Sequence, residues 1–437
     1  MHKRIHRSAI ALACLMALSA CGEKADISPK EQAGGDPTLP KSQNFLMPPI
    51  KVPSRVGWQQ DQTPKVAEGL KIERIASDLQ HPRQLYTLPN GDILVVESQS
   101  PGTEALTTPK QFIAGLVTSK SGKGAKGGMR ITLLRQGDDG RWQHFDFVDN
   151  LNSPFGVQLI DNTLYVANTD EIVKFPYQTG QTHIDAKPQP FADLPDTINH
   201  HWTKSLLASP DGSKLYVGVG SNSNAGENGL AVEYRRAAVL EVLLPSGASR
   251  IYAGGIRNPT GLQWQPQTGQ LWTISNGRDE IGADLVPDYM TSVKDGGFYG
   301  WPYSYYGQHV DTRVKPERPD LVAKAIKPDY ALGSHVAALG LWFSQDIALP
   351  ATYQQGAFVS EHGSWDRAPL SGYQVVFVPF ANGKPAGKPQ TVVSGFHSED
   401  ETKLYGAPVG LTQDKSGALL IADDVGNSVW RVTAADQ

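Results

Sequence analysis

From Leu70 onward one short pattern recurs six times. An apolar pair or triplet leads into a turn rich in Gly, Asp, Pro or Asn, and a β-prone run follows. The copies are Leu85-Tyr86 before Ile93-Leu94-Val95-Val96, Val157-Gln158-Leu159 before Leu164-Tyr165-Val166, and Leu206-Leu207 before Leu215-Tyr216-Val217. They continue with Leu262-Gln263-Trp264 before Leu271-Trp272-Thr273-Ile274, Leu341-Trp342-Phe343 before Ala357-Phe358-Val359, and Leu411 before Leu419-Leu420-Ile421. Turns such as Pro89-Asn90-Gly91-Asp92, Pro210-Asp211-Gly212 and Lys415-Ser416-Gly417 make each copy a hairpin.

One hairpin signature repeated six times predicts an all-β chain folded as a six-bladed β-propeller. A four-stranded blade takes roughly 40–45 residues. The copies start about 50–80 residues apart, so long loops are inserted between strands. Such loops gather on one face and build a site there. A two-sheet sandwich is the competing architecture, but it rarely uses this many residues or one hairpin six times.

The first residues have a different texture. Lys3, Arg4 and Arg7 precede a short apolar run ending in Leu18-Ser19-Ala20-Cys21. A basic start, a short apolar stretch and small residues before a Cys read as a lipoprotein signal peptide over residues 1–20, with Cys21 as the lipidated residue. Residues 21–66 are polar and Pro-rich, and read as a tether that lifts the propeller, residues 67–437, off a bilayer. A part of it around Val52 to Trp58 is apolar enough to pack on the domain. The expected location is the cell envelope, lipid-anchored on the periplasmic face of the outer membrane.

The chain has two cysteines, Cys14 and Cys21. Cleavage removes the first, so a mature chain holds no disulfide and rests on burial alone. There are 40 basic and 44 acidic residues; removing Lys3, Arg4 and Arg7 leaves a net charge of about −7. No basic stripe is present, which argues against nucleic acid as a partner. Membrane attachment would come from lipid.

The inserted loops hold the chemistry. They include His200-His201-Trp202-Thr203-Lys204, Ile256-Arg257-Asn258-Pro259, Asn276-Gly277-Arg278-Asp279-Glu280, Gly296 to Pro302, and Ser360 to Arg367. His201, Arg257, Asn276 and His362 sit at hairpin ends of different blades, which places them around one mouth at the axis. Histidine is the natural base near neutral pH. Arg and Asn are donors for a carboxylate or quinone oxygen. Turn carbonyls beside Asp279 and Glu280 suit a hard cation such as calcium. Asp423-Asp424 with Asn427 reads as an ordinary turn. No His/Cys set spaced for zinc, phosphate-binding Gly loop or G-x-S-x-G elbow is present.

Six segments, taken in order, carry a resemblance. They are His201-Trp202-Thr203, Pro210-Asp211-Gly212, Arg257-Asn258-Pro259, Gly297 to Pro302, His362 to Trp365, and Ala422 to Asn427. Together they resemble the L-sorbosone dehydrogenase-like proteins, relatives of the soluble aldose dehydrogenases that use pyrroloquinoline quinone, over about Leu70 to Val432. The resemblance implies a six-bladed propeller with the quinone and calcium in an axial pocket, and a sugar or sugar aldehyde as substrate. It makes His201 the base, and Arg257 and Asn258 the residues that hold the quinone oxygens. His362 and, more weakly, Arg83 would be further cofactor contacts. Gly277 and Arg278 fall where main-chain carbonyls bind calcium. Two positions depart from the family: Ala407 stands where relatives have Arg, and Gly277 where they tend to have Glu. The electron acceptor is not named by the sequence. Two other readings stay open, a calcium-dependent propeller hydrolase and a non-catalytic surface lipoprotein that binds a sugar or a partner.

Overall fold

A computed structural model describes residues 24–43, 50–101, 129–197 and 200–435. The signal segment and Cys21 lie outside the described residues. Six antiparallel sheets stand in a ring. Blade 1 holds strands Pro82–Thr87, Ile93–Glu97, Arg130–Gln136 and Trp142–Val148. Blade 2 runs from Gly156–Ile160 to Gln189–Asp193, and blade 3 from Lys204–Ala208 to Ser249–Gly254. Blade 4 runs from Pro259–Trp264 to Tyr330–Ser334, and blade 5 from Ala338–Phe343 to Gln390–Ser394. Blade 6 combines Pro408–Gln413, Leu419–Asp423 and Ser428–Ala434 with an N-terminal strand, Leu70–Ala76. That strand lies antiparallel to the last one, Leu70 opposite Ala434 and Ile72 opposite Val432. The ring is therefore closed by hydrogen bonds between the two ends of the propeller.

All six hairpins read from the sequence are the first and second strands of the six blades. Their turns follow the expected chemistry: Gly91 takes φ +98 and donates its N–H to the Leu88 carbonyl at 2.8 Å. Alternating apolar residues fill six clusters, each shared by two adjacent blades. Between blades 2 and 3, for example, Tyr165, Ile172, Leu206, Leu215, Val217 and Leu240 pack together. A twisted blade with two apolar faces has nowhere else to bury them, so the sheets stack face to face around a circle.

Each first strand touches the first strands of both neighbouring blades, and the six line a central channel. The approach is close enough that Gly410 has no room for a side chain: a Cβ there would lie 2.8 Å from the Arg83 carbonyl oxygen. Register fixes where function can gather. Pro82 pairs with Glu97, Gly156 with Ala167, Lys204 with Val219, Pro259 with Ser275, Ala338 with Glu361 and Pro408 with Asp423. In every blade the start of the first strand and the end of the second therefore stand together, on one face of the ring.

Residues 24–43 pack on the propeller where a free tether was expected, and residues 50–66 lie against it, as expected around Val52 to Trp58. Pro29–Gln32 forms one helical turn with a Ser28/Glu31 capping box. Gln32 is 1% exposed and donates to the Asp284 carbonyl at 2.9 Å. Ala25 N–H donates to the Ala368 carbonyl and Lys51 N–H to the Trp365 carbonyl, both at 3.0 Å. Trp58 packs edge-on against Phe396 and Trp430, and its Nε1–H donates to Asp423 at 2.6 Å. Pro and polar residues suit an extended strap held by backbone hydrogen bonds as well as they suit a free linker; composition does not separate the two. Lys65–Val66 adds a short strand to the edge of blade 5.

Candidate functional site

The face where first strands begin and second strands end collects the polar residues of the inserted loops. His201 stands three residues before the first strand of blade 3, Arg257 and Asn258 immediately before that of blade 4. Asn276 to Asp279 follow the second strand of blade 4, and His362 follows that of blade 5. Gly220, after the second strand of blade 3, packs against both His201 and the side chain of Asn258: an added Cβ would collide with each. The structure thus brings His201 and Asn258 to one spot, and a glycine makes the room.

Two hydrogen bonds fix the His201 ring. Nδ1 lies 2.9 Å from the Ser221 carbonyl and 3.0 Å from the Ser221 hydroxyl. The carbonyl only accepts, and the hydroxyl spends its own proton on the Ser223 carbonyl at 2.6 Å. Nδ1 must therefore be the protonated nitrogen, which leaves the lone pair on Nε2. Burial, then the positive charge of Arg257, then His200 hold the imidazole pKa well below its usual value. His201 is neutral at physiological pH.

Arg257 is 4% exposed, and four of its five N–H donors are engaged. It donates to the Asn224 carbonyl (3.1 Å), the Asn224 side-chain oxygen (3.0 Å), the Gly277 carbonyl (2.7 Å) and Asp279 Oδ2 (2.9 Å). Burial works against ionised Asp279, but Arg257 and then His335 outweigh it and hold this carboxyl well below the usual range. Asn258 Nδ2–H donates to Asn276 Oδ1 at 2.8 Å, while its own Oδ1 is buried without a hydrogen-bond partner among the described residues.

Arg83 and His362 are brought together by a residue that the sequence reading passed over. Asp424, in the presumed ordinary turn, accepts from Arg83 Nη1 at 2.6 Å and from His362 Nε2 at 2.7 Å, with His81 Nε2 at 3.8 Å. Its side chain is 0% exposed. Burial raises its pKa, but His362, His81 and Arg83 together hold it well below the carboxylate range. Arg83 lies with its guanidinium carbon 5.5 Å from the Trp202 ring, next to His201, and its Nε is buried without a partner among the described residues.

The turn expected to bind calcium is otherwise engaged. The Gly277 carbonyl takes Arg257 Nη1 at 2.7 Å, and the Arg278 carbonyl takes the Val286 N–H at 3.3 Å. The Arg278 side chain pairs with Asp311. A guanidinium in contact with a carbonyl repels a dication at the same oxygen, so the Gly277 carbonyl does not suit a calcium ion, while the Arg278 carbonyl carries only the long Val286 bond. Nor is there space for a glutamate at Gly277, where a Cβ would lie 2.6 Å from the Val286 carbonyl oxygen. Ala407 is likewise not a gap in the site. It is 0% exposed in the apolar cluster with Leu404, Leu411 and Val425, between blades 5 and 6. An arginine there would be driven into the core.

Two more residues, His335 and Asp366, belong to this face. His335 stands three residues before the first strand of blade 5, the position that His201 holds in blade 3, and strand register alone would have flagged it. Asp279 and Asp366 flank it, at 3.6 Å and 3.3 Å from Nδ1. Burial lowers the His335 pKa, but Asp366 and Asp279 outweigh it and push it up to about 10.

This arrangement of blades and loops is shared. A family model described as TrAA12-like matches residues 64–294 and 312–435. The chain belongs to the TrAA12-like family. A second model, Glucose / Sorbosone dehydrogenase, matches residues 242–361, blade 4 with its flanks. A Borreliella burgdorferi protein described only as uncharacterized is 28% identical over 66% of this chain and 77% of its own length. A pyrroloquinoline quinone-dependent sugar dehydrogenase of Hypocrea jecorina is 21% identical over 83% of this chain and 87% of its own. Among solved structures, the holo form of the pyranose dehydrogenase PQQ domain from Coprinopsis cinerea superimposes with a TM-score of 0.67. It has 18% identity and covers 87% of this chain and 100% of the other.

Proposed function

We propose that this chain is a pyrroloquinoline quinone-dependent sugar dehydrogenase in which His201 is the base. The observation that carries the reading is the His201 tautomer: one nitrogen is committed to Ser221, and the other is unprotonated on a neutral ring. The family and the quinone-dependent relative support the cofactor and the substrate class. The site itself offers a buried donor without a partner, Arg83 Nε, and a buried acceptor without one, Asn258 Oδ1. Such a pair fits a planar anion that carries both carboxylates and a ring N–H, which is the chemistry of this quinone. When bound, the quinone supplies the acceptor for the hydride and its electron pair.

The chain's own residues do the rest. A sugar hydroxyl is a very weak acid, and hydride leaves its carbon only as the hydroxyl proton is removed. His201 Nε2 takes that proton. Arg257, locked by Asn224, Gly277 and Asp279, keeps the imidazole neutral and ready. Asn258 and Arg83 hold and orient the cofactor. His362 is tied to Asp424 and reaches the cofactor only from that tether. No step passes through calcium at Gly277 and Arg278.

Export and anchoring belong to the same proposal. Among the described residues no helix is long and apolar enough to cross a membrane, and Cys21 would supply the attachment. Mass spectrometry of the protein from its native envelope should show a diacylglyceryl group on that thiol.

The test of the catalytic reading is His201→Gln in protein loaded with the quinone. Aldose oxidation with an artificial acceptor should fall by about 10²–10⁴-fold, the usual weight of a general base. Quinone binding should stay nearly unchanged. Undiminished turnover would overturn the assignment.

A further inference from the structure

Asp279, His335 and Asp366 come from three separate segments and converge with three ligand atoms within 4.8 Å of one another. The first follows the second strand of blade 4, the second precedes the first strand of blade 5, and the third lies in the loop after that blade's second strand. We propose that they hold a divalent first-row transition metal, of the zinc or manganese class, on the wall of the site.

The spacing is the argument. A histidine hydrogen-bonded to a carboxylate stands as close as His362 and Asp424 do, at 2.7 Å, while His81 stands 3.8 Å from the same carboxylate. The His335 Nδ1 contacts stand off at 3.3 Å to Asp366 Oδ2 and 3.6 Å to Asp279 Oδ1. Ligands at roughly 2.0–2.1 Å from one tetrahedral ion are about 3.3–3.4 Å apart. The two His335 spacings are close to those of ligands on one shared ion, and the third pair lies within 4.8 Å.

A second observation points the same way. Asp366 is 2% exposed, and its Oδ2, aimed at His335, has no hydrogen-bond partner among the described residues. Its one facing group is the His335 ring at 3.3 Å, too far for a good hydrogen bond, and an ion that replaces the Nδ1 proton would meet this oxygen directly.

The outer contacts are those of a built metal site. His335 Nε2–H donates to the Gly282 carbonyl at 3.0 Å, so Nδ1 faces the two carboxylates; an ion bound there takes the place of the Nδ1 proton. Arg257 takes Asp279 Oδ2 and leaves Oδ1 for the ion. One nitrogen and two carboxylate oxygens at this spacing favour a transition metal over calcium, which wants six to eight oxygens at about 2.3–2.6 Å. The Asp279 side chain is 28% exposed against 4% and 2% for the other two. The open coordination positions thus face the mouth, where a substrate oxygen would complete the shell.

The protein, freed of metal by chelation and without quinone, is titrated with Zn²⁺, Mn²⁺ and Ca²⁺ by calorimetry. Bound Mn²⁺ is then examined by electron spin-echo spectroscopy. The expected result is one Zn²⁺ or Mn²⁺ per chain, Ca²⁺ weaker by about tenfold or more, and nitrogen coupling to Mn²⁺. Asp366→Asn and His335→Asn should each weaken Zn²⁺ by more than about tenfold. No saturable Zn²⁺ or Mn²⁺ binding, an unchanged affinity in Asp366→Asn, or Mn²⁺ without nitrogen coupling would each overturn the proposal. If a variant fails to fold, the wild-type isotherm and the nitrogen coupling decide. Because no quinone is present, the outcome is separate from that of the dehydrogenase reading.

Discussion

Three cationic or ionisable partners meet one buried carboxylate at Asp424. Removing that carboxylate leaves Arg83 charged in a site where its side chain is 10% exposed. Asp424→Asn should cost about 3–5 kcal/mol, the usual penalty for breaking a buried pair from one side. Arg83→Met in the same chain should restore part of it, as read by urea denaturation. The sign of the pH dependence follows from the depressed carboxyl. Its contribution is complete above the unfolded aspartate value of about 4 and is lost as pH falls toward the folded value. The gap between wild type and Asp424→Asn should therefore close in acid and stay constant from pH 6 to 8. Nothing in Asp423-Asp424 separates this hub from an ordinary turn, because its three partners lie in blades 1 and 5. The positions of His201 and Arg257, by contrast, could be read at the mouth from the sequence, since each adjoins a hairpin whose register is local.

At the scale of elements, the strap over residues 24–43 acts on the loops that carry the site. Arg367, 2% exposed, donates to the Ile27 carbonyl at 2.5 Å and to Asp284 Oδ1 at 3.0 Å. Asp284 Oδ2 accepts the N–H groups of Asp26 and Ile27 at 2.7 and 3.2 Å. The strap thus joins the loop bearing Asp279 to the loop bearing His362 and Asp366. A chain lacking residues 24–36 leaves Asp284 Oδ2 to water and Arg367 with Asp284 Oδ1 and the Ala283 and Pro369 carbonyls. Hydrogen exchange in residues 276–286 and 362–373 should then speed up by about tenfold or more, while the inner strands of blades 1 to 3 keep their protection. Equal protection with and without the strap would show that these loops hold themselves.

For the whole molecule, closure is the critical contact. Strand Leu70–Ala76 buries Leu70, Ile75 and Ala76 and supplies the outer edge of blade 6. Burial of the two large side chains is worth about 1.5–3 kcal/mol each, and losing the strand also uncovers the ladder of Ser428–Ala434. A chain begun at Ser77 should therefore melt well below one begun at Pro64, by about 10 °C or more, or fail to fold. Indistinguishable melting curves would mean that the ring holds without its clasp.

The hairpin count, the blade number and the residues at hairpin ends were determined by the sequence itself, because register and turn chemistry are local. The strap, the Asp424 hub and the Asp279–His335–Asp366 group were decided only by the tertiary structure. Each joins segments far apart in the chain: Gln32 to Ser334, Arg83 to Asp424, and Asp279 to Asp366. Polar side chains carry no periodicity that names a distant partner. Closing six blades into one ring is what sets those partners within reach, and the low dielectric of the buried face is what then fixes their charge.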